Sequence, residues 1–226
     1  MSSPATTPVL DKSTADGQEE KKIYNIEYAV PNGGKVYLFA KRSFDLAVSL
    51  IAAVILIIPM AIIALFIACD SKGPVLYKQE RYGKNKKVFT IYKFRTMRVD
   101  AEANGPKWAD QEDSRCTKVG KFLRKCRFDE FPQLINIIRG DMSFVGPRPE
   151  RPCFYEEFET YIHGFENRLA VAPGLTGLAQ INGGYNLKPE EKIIYDMEYI
   201  KTRSFWLDIK LMFSTVKFVF NHDGAR

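Results

Sequence analysis

From Leu46 to Cys69 the chain reads "LAVSLIAAVILIIPMAIIALFIAC", with no charged side chain in the run. As a helix rising 1.5 Å per residue this stretch reaches roughly 36 Å, more than the ~30 Å hydrocarbon core of a bilayer. Two features oppose a simple crossing. Pro59 sits near the middle, where it removes an intrahelical hydrogen bond and crowds the preceding turn. Both flanks are basic: Lys35, Lys41 and Arg42 come before, and Lys72, Lys78, Arg81, Lys84, Lys86 and Lys87 come after. Positive charge prefers the cytoplasmic side, so both ends are expected there. A helix–break–helix that enters and leaves by one leaflet meets both observations, provided the backbone freed at the break is bonded locally. A kinked spanning helix is the alternative.

The pattern then changes period. Residues 75–97, "VLYKQERYGKNKKVFTIYKFRTM", alternate apolar and polar on either side of "GKNKK", which predicts a β-hairpin. Residues 100–116 are polar and irregular. "TKVGKFLRKC" and "EFPQLINIIR" read as helices, the second closed by Gly140. "GDMSFVGPRPERP" and "APGLTGLAQINGGYN" read as loops, and "FYEEFETYIHGFENRL" as a helix. "PEEKIIYDMEYIKTR" has Pro189 at a helix start and acids in its first turn. The last segment, "SFWLDIKLMFSTVKFVF", puts Lys210 and Lys217 on nearly one helical face and Phe205, Trp206, Phe213 and Phe218 on the rest. That suits a helix lying in a membrane interface with its lysines reaching the headgroups; a core helix is the competing reading. The fold expected is α+β, mostly helical, with a small β-hairpin. Residues 1–22 are rich in Ser, Thr, Pro and charge, are expected to be disordered, and lack the apolar core of a signal peptide.

A net charge of +6 points to a partner bearing phosphate, without choosing among nucleic acid, anionic lipid and nucleotide. The four cysteines have no metal-ligand spacing, and two histidines give a triad or histidine metal site little material.

The segment "RFDEFPQL" sets Asp129 and Glu130 side by side between Phe128 and Phe131. With Asp129 as N-cap, Glu130, Phe131 and Pro132 form a first turn in which proline is harmless. Free N–H groups at such a helix start hold phosphate well. Neighbouring side chains on a helix diverge by about 100°, so two such carboxylates suit separate tasks on one bound group rather than a shared proton. One can attack phosphorus, and the other can hold a divalent cation such as Mg²⁺ together with substrate phosphates. Arg124, Arg127 and Arg148 are placed to neutralise a diphosphate that would otherwise repel the attacking carboxylate. Pro147 and Pro149 stiffen the loop that presents Arg148.

The string "RKCRFDEFPQLINIIRGDMSFVGPRPE", with "KFRTM" before it and "PGLTGLAQINGGYN" after it, resembles the bacterial sugar transferase family, the monotopic polyprenyl-phosphate phosphoglycosyl transferases, in their compact form. The resemblance runs from about Lys41 to the C-terminus. It implies transfer of a sugar phosphate from a UDP-sugar to polyprenyl (undecaprenyl) phosphate, giving UMP and starting capsule, exopolysaccharide or other glycan assembly. It implies a covalent phosphosugar intermediate on Asp129 and Mg²⁺ associated with Glu130, and Arg124 and Arg148 match basic residues of the site; Arg127 and Lys93 of "KFRTM" are expected to bind substrate phosphate with them. It further implies a re-entrant helix hairpin broken at Pro59, at the cytoplasmic face of the bacterial inner membrane, and no nucleic acid partner. The corresponding divisions are a connector at 1–40, the membrane hairpin at 41–72 and the catalytic domain at 73–226. Ile58 stands where the family often has serine, and Ala172 where it often has a basic residue. The rival readings are a basic, membrane-tethered, non-catalytic binding protein and a glycosyltransferase that moves sugar alone. The first leaves the acidic pair unexplained, and the second lacks a D-x-D or G-x-G-x-x-G motif.

Overall fold

The computed structural model describes residues 22–103, 105, 113–183 and 187–220. Helix α1 runs Lys35–Asp70, and Pro59 lies inside it: residues on both sides of the proline are helical, so the expected break is not a helix end. The reason is packing on both sides. Ala52, Ala53 and Leu56 lie on a core of Phe89, Ile91, Leu134, Ile137 and Met142. Beyond the proline, Met60, Ile63 and Ala64 lie on a second core with Phe94 and Leu123, joined by α1's own Ile67. These positions recur at three- and four-residue spacing, so they form one stripe. The opposite stripe, including Val54, Ile55, Ile58 and Leu65, is exposed.

Both ends of α1 are tied to the rest of the chain. Near the start, the Arg42 guanidinium donates to the Ile137 and Ile138 carbonyls at 2.6 and 2.7 Å. It thereby satisfies the last turn of α3 (Leu134–Arg139), whose carbonyls lack helical partners. Asp45 accepts from the Phe144 N–H at 3.2 Å, and Lys41 pairs with Asp208 at 2.8 Å. At the far end, Asp70 accepts from the Val119 N–H at 3.1 Å, and Arg95 donates to the Ser71 and Lys72 carbonyls.

The hairpin is as expected. Strands β2 (Leu76–Tyr82) and β3 (Val88–Phe94) pair antiparallel, with Leu76 opposite Phe94, and Asn85 and Lys86 take the left-handed conformation in the turn. Helix α2 (Lys118–Cys126) follows, capped by the Thr117 hydroxyl. Two loops hold more structure than their prolines and glycines suggest. β4 (Ser143–Val145) and β6 (Gly174–Thr176) pair in parallel, and a Cβ on Gly146 would lie 2.4 Å from the Ala172 carbonyl oxygen, so these loops meet backbone to backbone. A short helix, α5 (Leu178–Ile181), follows β6.

The helix expected over "FYEEFETYIHGFENRL" is shorter. α4 covers Pro152–Glu159; Ile162–His163 then forms β5, parallel to β1 (Tyr24–Asn25), and Phe165–Ala170 is a 3₁₀ turn. Gly164 sits at φ 87°, and the Glu159 carboxylate accepts from the Gly164 and Glu166 N–H groups, which turns the chain. Helices α6 (Pro189–Thr202) and α7 (Phe205–Phe220) complete the fold. The main core joins α6 and α7 to the 140–171 region through Tyr155, Phe165, Ile193, Ile200 and Leu211. On α7, Asp208 is buried, whereas Trp206 and Phe213 are exposed. The N-terminal expectation falls, except for Lys22, outside the described residues, as does residues 184–186 of the glycine-rich stretch.

Candidate active site

The acidic pair does not begin a helix in the expected way. Phe128–Gln133 is a 3₁₀ turn that leads directly into α3, and its cap position is Arg127, at φ 58°, not Asp129. The left-handed Arg127 closes α2 and reverses the chain at once, so Asp129 and Glu130 fall inside the first turn. That turn has two sides. Phe128 and Phe131, with ring centroids 4.9 Å apart, pack into the core shared with Met60, Ile63 and Ile67 of α1. Asp129 and Glu130 line a cleft of about 390 Å³. The aromatic flanks therefore bind the turn to the apolar helix while the carboxylates face the cavity.

Every residue singled out from the sequence for phosphate or catalysis lines this cleft: Lys93, Arg124, Arg127, Asp129, Glu130 and Arg148. Pro59, the expected break, lies elsewhere, inside α1. Lys93 comes from β3, and its ammonium lies 3.4 Å from Glu130 Oε1. The Arg148 guanidinium pairs with the same oxygen. The Arg124 guanidinium is steadied by the Thr96 hydroxyl at 3.1 Å and by Cys116 Sγ at 3.3 Å.

The two carboxylates, both nearly out of water, are driven apart. Burial pushes Asp129 up; Lys93, Arg124 and Arg148 pull it down, the charge of Glu130 adds to the rise, and it settles at about 6. Burial also pushes Glu130 up, but the charges of Arg148 and Lys93 overcome it and hold Glu130 well below the usual carboxylate range. The surroundings thus split the pair: Glu130 is the acid held ionised, and Asp129 is the one whose proton is held more tightly.

A cation site of three or more acidic, histidine or cysteine side chains is absent among the described residues. Mg²⁺ often takes only one or two protein carboxylates and completes its shell with substrate phosphates and water. Asp129 and Glu130 fit that mode, with Glu130 the strongly ionised member.

Behind the predicted residues lies a buried charge network that the sequence reading missed. Arg81 of β2 pairs with Glu150 at 3.3 Å and donates to the Pro149 carbonyl at 3.1 Å. Arg168 pairs with Asp196 at 2.6 Å and donates to the Arg148 carbonyl at 3.0 Å. The loop that carries Arg148 is thus held by two arginines from other elements. Glu150 adjoins the quoted motif, and Lys192 and Asp196 stand four apart on α6, a spacing that shares a helix face; Arg168 carries no signal of its own.

The molecule is thus a mixed fold with one long apolar helix and, in the rest of the chain, a cleft of paired acids and arginines. The family model described as bacterial sugar transferase matches residues 36–222, and the chain belongs to this family. Over 194 residues it is 40% identical to a UDP-N-acetylgalactosamine-undecaprenyl-phosphate N-acetylgalactosaminephosphotransferase of Aeromonas hydrophila, covering 84% of this chain and 46% of the relative. It is 40% identical to the UDP-glucose:undecaprenyl-phosphate glucose-1-phosphate transferase of Escherichia coli, covering 84% and 42%. It is 47% identical over 133 residues to a putative undecaprenyl-phosphate N-acetylgalactosaminyl 1-phosphate transferase of Bacillus subtilis, covering 59% and 74%. The chain spans less than half the length of the first two.

Proposed function

We propose that the protein is a phosphoglycosyl transferase that moves a sugar 1-phosphate from a UDP-sugar to undecaprenyl phosphate at the surface of a membrane, as the names of its relatives suggest. The observation that carries this reading is the 3₁₀ turn whose carboxylates line a cationic cleft while its phenylalanines pack on the apolar helix. The lipid acceptor stays in the bilayer and the nucleotide stays in water, and a turn that packs on the apolar helix and lines the cleft supports a reaction where the two meet.

Asp129 attacks the phosphorus that bears the sugar. The bond from that phosphorus to the oxygen bridging to the nucleoside phosphate breaks, and UMP leaves with the electron pair. An oxygen of the lipid phosphate then attacks the same phosphorus, the bond to Asp129 breaks, and the free carboxylate returns. Arg124, Arg127 and Arg148 offset the negative charge that gathers as an anion approaches a diphosphate. Mg²⁺ held by Glu130 and the donor phosphates would supply further charge neutralisation. Glu130, ionised and paired with Arg148 and Lys93, holds both cations in position.

The reading includes a membrane path for α1 that enters one leaflet without crossing, with Pro59 as the place where the helix bends. The bonds of Arg42 and Asp45 at one end, and of Asp70 at the other, support it. A helix that crossed could not have both ends held by one body on one side. Single cysteines at Tyr28 and Lys84, in a cysteine-free background, test the path with an impermeant thiol reagent on spheroplasts. Both should stay unlabelled until lysis; labelling at position 28 alone would mean a crossing. The nucleotide product tests the chemistry: UMP is expected, and UDP would mean transfer of the sugar without its phosphate.

A further inference from the structure

Among the described aromatic residues that line the cleft, Phe94 is buried in the core, which leaves the rings of Tyr77 and Phe154. They meet around one ion pair that also lines the cleft. The Arg151 guanidinium forks onto the Glu102 carboxylate, one nitrogen on each oxygen, at 2.8 and 3.3 Å. Its central carbon lies over the Phe154 ring, 5.8 Å from the ring centroid. Burial first, and the charge of Glu102 second, push the Tyr77 hydroxyl above its usual range, so Tyr77 feels the same carboxylate.

Strand register places this cluster relative to the acidic pair. Tyr77 of β2 stands directly opposite Lys93 of β3, and the Lys93 ammonium lies 3.4 Å from Glu130 Oε1. Side chains so paired start about 4.5–5.5 Å apart at their Cβ atoms. One cross-strand step therefore separates Tyr77 from a side chain that touches Glu130. The polar edges of the cluster are already engaged. Glu102 takes both terminal nitrogens of Arg151, and the Gln79 carboxamide donates to the Tyr77 hydroxyl at 2.7 Å. The Arg151 charge is offset by Glu102, which makes it a weak partner for phosphate. The Tyr77 side is nevertheless 36% exposed. The cluster thus offers a ligand flat faces more than charge or hydrogen-bonding edges.

We propose that Tyr77, Arg151 and Phe154 form a stacking platform for the nucleobase of the donor, with Glu102 holding the guanidinium plane in place. The platform supplies affinity for the nucleoside without choosing its base. This rests on the transferase reading above, which makes the donor a nucleotide sugar. Aromatic rings and guanidinium planes both stack on bases. Such stacking tolerates any base, because every base has a π-face, and here the edges that could read one are bonded to each other.

The test uses the full chain in lipid nanodiscs with Mg²⁺ and measures the binding of UMP, CMP and inorganic pyrophosphate by calorimetry. Pyrophosphate carries the phosphates without a base. Tyr77→Leu removes a partly exposed ring, and Arg151→Lys keeps the charge but loses the plane. Each should weaken UMP about fivefold or more, and CMP by the same factor, with pyrophosphate unchanged. The two residues lie on β2 and at the start of α4, so loss of the fold in one variant, read from its melting temperature, leaves the other to decide. Equal weakening of UMP and pyrophosphate would assign the cluster to the phosphates and overturn the proposal. Unchanged UMP binding in both variants would overturn it as well, and so would a loss confined to UMP, which requires an edge that reads the base. A wild-type protein that binds UMP on this platform but releases none from any UDP-sugar would overturn the transferase reading and leave the platform standing.

Discussion

In the cleft, Asp129, Glu130, Glu150 and Arg168 are each more than nine-tenths withdrawn from water; on the outer face, Val54 and Ile58 of α1 and Trp206 and Phe213 of α7 are each more than two-thirds exposed. A globular protein in water has reason to do neither. Buried charge costs free energy unless it is paired, and a large exposed apolar patch marks a contact surface. The two regions depart from the rule in opposite directions, and the proposed function gives each its own partner: a polyanion for the cleft and lipid for the face. The turn Phe128–Phe131 lines the cleft with its carboxylates and packs its rings on the inner stripe of α1, the helix whose opposite stripe is exposed, so the account can be broken from either side.

The largest effect is expected in the cleft. Asp129→Asn replaces a nucleophile with a poor one and should lower turnover by about 10³-fold or more, measured as UMP release. Arg148→Lys keeps the charge but loses the planar fork, and should lower kcat/KM by about 10–100-fold while the melting temperature stays close to that of wild type. A large loss of stability with activity retained would make Arg148 structural.

The pH profile divides the acidic pair. Asp129 must be ionised to attack and is held up at about 6, so kcat/KM should fall about tenfold per unit as pH drops below that value. Glu130→Gln removes the adjacent negative charge that helps raise Asp129 and frees Arg148 and Lys93 to lower it. Its acid limb should therefore move to lower pH, even though the rate itself is reduced. A limb that stays in place would uncouple the two carboxylates.

On the outer face, the double substitution Trp206→Glu, Phe213→Glu should lower the membrane-bound fraction about tenfold in flotation assays. Activity on a water-soluble short-chain acceptor should persist, because neither side chain lines the cleft. The smallest effect concerns stability. The carboxyl of Asp129 is raised on folding, so its ionisation costs stability, a cost absent below the unfolded value near 3.8 and complete above about 6. Asp129→Asn should therefore melt a few degrees higher than wild type at pH 8 and at the same temperature near pH 4.

The sequence exposes the two regions unequally. The apolar run, the hairpin alternation and the clustering of Asp129 and Glu130 with arginines are local patterns, and the structure brings the five cleft residues named from that cluster together with Lys93 of "KFRTM". The helical continuity of α1 through Pro59 is not local: it depends on cores on both sides of the proline, built from residues 60 to 90 positions away in the case of Leu123, Leu134 and Met142. The same holds for the cap at Arg127, where a left-handed residue that is not glycine is set by the closure of α2. Arg168 and Asp196 pair across 28 positions of chain, and a lone charge on a short turn gives no sign of such a partner. The shortened α4 turns on Glu159 accepting from two backbone N–H groups after it, which competes with helix in a way that apolar periodicity does not reveal.

The central claim is that Asp129 carries the sugar phosphate. The most direct measurement gives the protein a UDP-sugar and Mg²⁺ without lipid acceptor, quenches in acid, and reads both the released nucleotide and the intact mass. The account predicts a burst of UMP no greater than one equivalent and a gain of one sugar phosphate, mapped to the peptide bearing Asp129 and absent from Asp129→Asn. An adduct on another residue, or UMP formed without adduct and only when lipid phosphate is present, would contradict it.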